Sequence, residues 1–284
     1  MRLGVHVSIA GHIYEAIDRA AALGCDTMQI FSRDPRQWRR SRLKPEDIDE
    51  FKKRRQASGI SPVFVHIPYL INLASAHSDL YRASIKAYID DIKECEAIGA
   101  EYLVTHMGSH KDSSEQMGLK RITSALNKIL DRTKKSPVMI LLENTAGAGS
   151  WLGYKFEHQR KIIDGIERKD RVGVCFDTCH AYVAGYNIAS PKGYKDTIGQ
   201  LDKIVGLKRL KLIHLNDAQD KLGSHHDRHT HIGKGNIGIE GFRRLVCDKR
   251  LKDVPLVLET PKENEDSDKL NLKTVRNLRI TNDK

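Results

Sequence analysis

At 284 residues, with 39% hydrophobic and 30% charged residues, the chain is long enough for one large α/β barrel or two small domains, and polar enough for an aqueous compartment. A net charge of +11 and a pI near 9.4 suit a polyanionic partner, nucleic acid above all, although a solvated lysine-rich face gives the same balance. Five scattered cysteines without a CxxC pair argue against a disulfide framework, so reduced thiols in the core of a cytoplasmic protein are expected. The opening MRLGVHVS lacks the cationic-then-apolar design of a signal peptide, and no apolar run approaches the ~18 residues of a membrane span.

Short apolar runs alternate with amphipathic stretches along the chain. A first strand is expected over Leu3–Val7 and a helix over Tyr14–Leu23, where Ala16, Ile17, Ala20 and Ala21 share a face. A strand over Thr27–Phe31 leads to a helix over Glu46–Ser58. The third strand, Val63–His66, precedes a long helix over Asp79–Ile98, with Ile85, Tyr88, Ile89, Ile92 and Cys95 at helical spacing and Gly99 at the stop. Strands are then expected at Tyr102–His106, Val138–Glu143, Val172–Asp177, Leu210–His214 and Leu256–Glu259. Helices fall at Glu115–Arg132, Glu157–Glu167, Lys195–Val205, Ile239–Cys247 and Lys269–Arg279. Strands apolar at nearly every position are covered on both faces, as in a parallel sheet. Eight β-then-α units without a linker predict an α/β protein, a (β/α)8 TIM barrel with residues 1–284 as one domain; an open doubly wound sheet shares the local pattern. From the third strand onward the starts are about 35 to 45 residues apart, which implies long loops on the C-terminal rim, where barrels carry function.

The residue closing each of those strands is the informative one. VFVHIP ends at His66, YLVTHMGS at His106, MILLENT at Glu143, VGVCFDTCH at Asp177, LKLIHLND at His214 and PLVLET at Glu259. A lone His or Glu at a strand end is usually structural. Six in succession, converging on one rim, would be costly to desolvate unless cations compensated them. His180 follows in DTCH, on the turn after the sixth strand. Asp227 and His229 flank Arg228 in HHDRHTHIGKGNIG, where i and i+2 of an extended segment share a side. His225, His226 and His231 lie in the same stretch and stay open as ligands. Cys175 and Cys179 lie beside Asp177, but their spacing fits no zinc-finger pattern.

These segments, DTCHAYVAGY, HLNDAQ, DRHTHIGKGNIG, LLENTAG, THMGSH and YLINLA, resemble the signature segments of the endonuclease IV family of apurinic/apyrimidinic endonucleases, over a span from Val5 to Glu259. The resemblance implies three zinc ions per chain: His66, His106 and Glu143 on the first, with Glu143 bridging to the second; Asp177, His214 and Glu259 on the second; His180, Asp227 and His229 on the third. It also implies a catalytic part for Glu143 and for Glu259, the latter orienting or deprotonating the attacking water. Five imidazoles and four carboxylates without a thiolate suit Zn²⁺ and tolerate Mn²⁺ as a substitute, while Mg²⁺ is poorly served by so many nitrogens. The chemistry of such a site is in-line hydrolysis of a phosphodiester.

SRDPRQWRRSRLK places Arg33, Arg36, Arg39, Arg40, Arg42 and Lys44 around Trp38 on the same rim, either a phosphate-binding loop or a basic surface turn. By the resemblance, Arg36, Gln37, Tyr69 and Leu70 enter the minor groove of double-stranded DNA and flip an abasic nucleotide into the pocket; without stacking, that nucleotide is cheap to extrude. His12 departs from the family's usual second glycine after Gly11, and His6 is expected to be a buried, hydrogen-bonded histidine. A monomer with no membrane contact is expected. Two alternatives are a sugar isomerase or epimerase on a related barrel, which needs fewer metal ligands, and a catalytically dead damage-binding protein.

Overall fold

A computed structural model describes residues 1–34, 37–38 and 43–280. In chain order the elements are β1 (Leu3–His6), α1 (Glu15–Ala22), β2 (Thr27–Phe31), α2 (Pro45–Ser58), β3 (Val63–His66), α3 (Ser78–Ile98), β4 (Tyr102–His106), α4 (Glu115–Arg132), β5 (Met139–Glu143) and α5 (Phe156–Asp164). They continue with β6 (Val172–Asp177), α6 (Thr178–Val183), α7 (Pro191–Ile204), β7 (Leu210–His214), β8 (Asp217–Ala218), β9 (His229–Thr230), α8 (Gly238–Val246), β10 (Leu256–Leu258) and α9 (Ser267–Ile280).

Strands β1, β10, β7, β6, β5, β4, β3 and β2 pair in that order, all parallel, into a closed barrel, which excludes the open sheet. β8 and β9 form a separate antiparallel pair on the rim. The expected barrel strands and helices are all present, with ends moved by a few residues. α2 begins one residue earlier than expected because Pro45 occupies the first turn, where its missing N–H is harmless. α3 and α2 both stop at a left-handed glycine, Gly99 and Gly59.

The helices bury their apolar faces against the outward side chains of the strands; Ile89, Ile92 and Leu126 meet Val65, Leu103 and Ile140 in one core. Burial of this kind, at roughly 25 cal/mol per Å² of apolar surface, is the main stabilising contribution. Gly4 shows how closely β1 and β2 approach: a Cβ there would stand 1.8 Å from the Thr27 carbonyl oxygen. Among the described residues, no helix is long and apolar enough to cross a membrane.

Candidate metal centre

Alternate side chains of a strand face the barrel axis. Phe64, Val104, Leu141, Cys175, Leu212 and Val257 form a fully buried cluster there, apart from the barrel–helix core. Two residues further along the same six strands stand His66, His106, Glu143, Asp177, His214 and Glu259. The polar ring is therefore the next inward layer above an apolar floor. Parallel register sets His106 beside Glu143 and Asp177 beside His214.

Glu143 is the hub and is wholly buried. Its Oε2 lies 3.2 Å from Nε2 of both His66 and His106, and its Oε1 lies 2.9 Å from His214 Nδ1 and 3.4 Å from His180 Nδ1. His214 Nδ1 is also 3.3 Å from Glu259 Oε2 and 3.9 Å from Asp177 Oδ2. On the outer side, Asp227 Oδ2 is 3.1 Å from His180 Nε2, and its Oδ1 is 3.3 Å from His229 Nε2. The donor atoms of His66, His106 and Glu143, of Glu143, Asp177, His214 and Glu259, and of His180, Asp227 and His229 form three sets, each within 4.8 Å.

Local structure explains how the late members arrive. Asp177 ends β6 and caps α6, accepting the His180 N–H at 2.7 Å, so the short helix carries His180 straight into the ring. Asp217, in β8, accepts N–H bonds from Gly233 and Gly235 at 2.9 Å and from Ile237 at 3.0 Å, which folds the HIGKGNIG loop back against the barrel mouth. Only glycine fits at 235, because a Cβ would come within 2.3 Å of the Ala218 carbonyl. Amides hold the carboxylates: Asn216 Nδ2 donates to Asp177 Oδ2 at 2.7 Å while its Oδ1 accepts the Glu259 N–H at 2.8 Å, and Asn144 pairs with the backbone of Asp177. Sequence reasoning passed over these amides, although Asn144 and Asn216 lie one and two residues beyond expected ligands.

Charge in this ring is tightly paired. Burial works against ionised Glu143, yet His214 and His106 hold its carboxyl well below the usual range. Burial likewise opposes charged His180 and His214, and the surrounding acidic groups raise both well above an ordinary imidazole. His229, burial notwithstanding, is raised to about 9 by Asp227. Burial pushes the Cys175 thiol up to about 12, so although Cys175 and Cys179 each stand near two ligand-type atoms, Cys175 belongs to the apolar floor as a thiol. A cation fits this ring on two counts. Five imidazoles and four carboxylates make a nitrogen–oxygen donor set of borderline softness. His229 Nε2, moreover, is buried and lacks a well-formed hydrogen bond, standing 3.3 Å from Asp227 Oδ1 in an arrangement that a metal between them would complete.

The other histidines of the loop have other partners. His225 Nδ1 donates to the Ala146 carbonyl at 2.7 Å, His226 pairs with Asp220, and His231 lies between Asn271 and Glu263. None joins the three sets. His6 is half-buried and hydrogen-bonded to Gln29, with Glu259 Oε1 at 3.4 Å. His12, at the departure from the family pattern, is exposed and pairs with Asp47.

Above the ring opens a cleft of about 260 Å³ whose walls include Phe31, Tyr69, Thr260 and Lys262. Tyr69 is 61% exposed and stands edge-on to Phe31, with Leu70 half-buried behind it. Gln37 and Trp38 are also exposed, while Arg36, Arg39, Arg40 and Arg42 lie outside the described residues. Arg33 turns inward: its Nε and Nη2 lie 3.2 and 3.4 Å from the buried Asp91 carboxylate on α3, and its Nη1 donates to the Gln37 carbonyl at 2.6 Å. It ties Gln37 to α3 instead of facing a phosphate, because the buried Asp91 carboxylate and the Gln37 carbonyl hold its guanidinium. Thr260 and Lys262, just past the last strand-end carboxylate, were not anticipated; the only signal was their nearness to Glu259.

A family profile described as xylose isomerase-like TIM barrel matches residues 17–280. A probable endonuclease 4 of Chloroflexus aurantiacus is 45% identical over 278 residues, which cover 98% of this chain and 98% of that protein. The crystal structure of endonuclease IV from Thermus thermophilus superposes with a TM-score of 0.88 at 37% identity, covering 99% of this chain and all of that one. A D-tagatose 3-epimerase-like protein superposes with a TM-score of 0.77 over 100% of this chain and 99% of its own, but at 21% identity it shares the fold alone. With near-complete coverage and identity of this order, the chain belongs to the endonuclease IV family of xylose isomerase-like TIM barrels.

Proposed function

We propose that this chain, residues 1–284 acting as one barrel domain and as a monomer, is a zinc-dependent AP endonuclease of base excision repair. It hydrolyses the phosphodiester 5′ to an abasic site in double-stranded DNA, leaving a 3′-hydroxyl and a 5′-deoxyribose phosphate, and trims blocked 3′ ends by the same chemistry. One observation carries this reading: nine nitrogen and oxygen donors, from six strand ends, the short helix α6 and the segment around β9, converge in three sets, two of which share Glu143.

In this assignment His66, His106 and Glu143 hold one ion, Glu143, Asp177, His214 and Glu259 a second, and His180, Asp227 and His229 a third. Zn²⁺ when bound supplies charge neutralisation of the phosphate and lowers the pKa of water, and Mn²⁺ substitutes for it. Glu143 and Glu259 are the carboxylates in reach of the reacting atoms. Glu259 borders the cleft, and its position lets it accept a proton from the attacking water. Tyr69, Leu70, Gln37 and Trp38 are assigned to meet the duplex, together with Arg36, which lies outside the described residues, and Lys262 is a further cation at the cleft wall. The cleft volume of about 260 Å³ lies below the roughly 300–1,000 Å³ of pockets for drug-sized ligands, which suits a sugar phosphate that has lost its base.

Incision of an end-labelled duplex containing one abasic analogue, beside an undamaged control, tests the proposal. Cleavage 5′ to the lesion that chelation abolishes and zinc restores is the expected result. Epimerisation of a ketohexose without incision would favour the sugar-enzyme alternative, and tight lesion binding without cleavage by zinc-loaded protein would favour a dead damage binder.

A further inference from the structure

Six of the eight barrel strands place a residue of the three donor sets at their last position or, for β10, one residue past it. β1 contributes His6 to the same layer, and β2 contributes Gln29, a polar residue in the otherwise apolar run MQIF with no exposed surface. Its amide spans the barrel. Gln29 Oε1 lies 2.8 Å from His214 Nε2, and Gln29 Nε2 lies 2.6 Å from Glu259 Oε1 and 2.9 Å from His6 Nδ1. We propose that Gln29 is a positioning residue that sets the ring tautomers of His214 and His6 and aims the Glu259 carboxylate, an inference that rests on the metal-centred function proposed above.

The argument follows from which atoms can donate. An ionised carboxylate only accepts, so the nitrogen of the Gln29 amide must face Glu259, and the amide has one orientation. Its oxygen then faces His214 Nε2, which must carry the ring proton. In the metal-loaded centre this leaves the His214 lone pair on Nδ1, the atom that points at Glu143 Oε1 and Glu259 Oε2, at 2.9 and 3.3 Å, where the second set of donors converges. The second amide N–H goes to His6 Nδ1, which must accept it. The His6 proton is thereby placed on Nε2, on a ring that lines the cleft. A single buried side chain thus determines the hydrogen-bonding sense of three residues. Being wholly buried, it does so without touching substrate.

Two variants of the zinc-loaded enzyme test this. Gln29→Met keeps the length and removes every hydrogen bond. Gln29→Glu keeps an acceptor for His214 but cannot donate to Glu259 or His6. Three quantities are read: zinc affinity by chelator competition, the histidine side-chain ¹⁵N spectrum, and kcat and KM on an abasic duplex. For Gln29→Met we expect zinc affinity and kcat to fall about 10- to 100-fold, the range for losing an outer-shell partner of a ligand, with KM little changed. The His214 and His6 spectra should lose their single Nε2–H tautomer. Gln29→Glu should restore the His214 tautomer while kcat stays low. A Gln29→Met protein with wild-type zinc affinity, kcat and His214 spectrum overturns the proposal, as does a Gln29→Glu protein that folds but leaves the His214 tautomer mixed. A wild type that fails to cut abasic DNA refutes the proposed function instead, because the ring tautomers are read from the spectrum without reference to incision.

Discussion

Replacing Glu259 by glutamine perturbs the centre at the half-buried carboxylate that borders the cleft, and the surrounding donors determine the outcome. Glu259 Oε1 receives the Gln29 amide at 2.6 Å, and Oε2 faces the Asn216 amide at 3.5 Å and His214 Nδ1 at 3.3 Å. A glutamine at this position has one acceptor oxygen and one NH2. If its oxygen stays with Gln29, the NH2 faces Asn216, His214 and the space where a cation would be held. If it flips, two amide nitrogens meet at the Gln29 contact. Either way the second set of donors loses a charge, and the cleft loses its proton acceptor. Loss of a positioned base alone is worth about 10²- to 10⁴-fold, so incision of an abasic duplex should fall by at least about a hundredfold. Binding to the same duplex should fall far less, because the Tyr69 and basic-loop contacts remain. The assay pairs single-turnover incision with a binding titration and with metal content of the same preparation, since a lost ion would mimic a lost base. Near-normal cleavage by fully metallated Glu259→Gln would refute the reasoning.

Three other expectations follow from the same geometry. Asp91→Asn strips the counter-charge from buried Arg33; breaking such a pair costs roughly 3–5 kcal/mol, and because Arg33 also holds the Gln37 carbonyl, KM for abasic DNA should rise more than kcat falls. Unchanged KM in a folded variant would detach this mooring from DNA binding. Affinity for an abasic duplex should weaken steeply with salt, and Arg36→Ala combined with Tyr69→Ala should lower lesion affinity while leaving the metal content intact; a double variant that binds like wild type contradicts the rim assignment. The chelator-treated protein should lose thermal stability as pH rises: the folded pKa of His229 is raised to about 9 against about 6.5 unfolded, so its pairing with Asp227 stabilises fully below pH ~6.5 and is lost on passing pH ~9. A Tm of the stripped protein that stays flat between pH 6.5 and 9 would contradict that pairing.

The barrel and the ring were legible because both obey a simple period. Apolar runs closed by His, Glu or Asp place the candidate ligand two residues beyond an inward apolar side chain for all six strands, as Leu141 and Glu143 illustrate. What stayed hidden lacks a period. α6 is six residues long and buried on all sides, so Thr178–Val183 shows no amphipathic stripe to mark a helix. The two-residue strands β8 and β9 are held by the glycine-rich loop around Asp217 and not by strand propensity. Arg33 looked like one more basic residue of an arginine-rich loop; its partner Asp91 lies 58 positions away on α3, a pairing no local pattern announces. The amides of Gln29, within β2, and of Asn144 and Asn216, just past β5 and β7, escaped because an amide in or near a strand is ordinary in isolation and acquires meaning only beside the acidic residues it contacts.

The measurement that bears most directly on the account is metal content read together with incision on one preparation purified without chelator. Three adjoining sets of donors, two of them sharing Glu143, predict about three zinc ions per chain, incision 5′ to an abasic site, and joint loss of both on chelation, with joint recovery on adding zinc. Protein that incises at full rate with one ion or none per chain would contradict the trinuclear centre, and fully metallated protein that leaves abasic DNA intact would contradict the activity assigned to it.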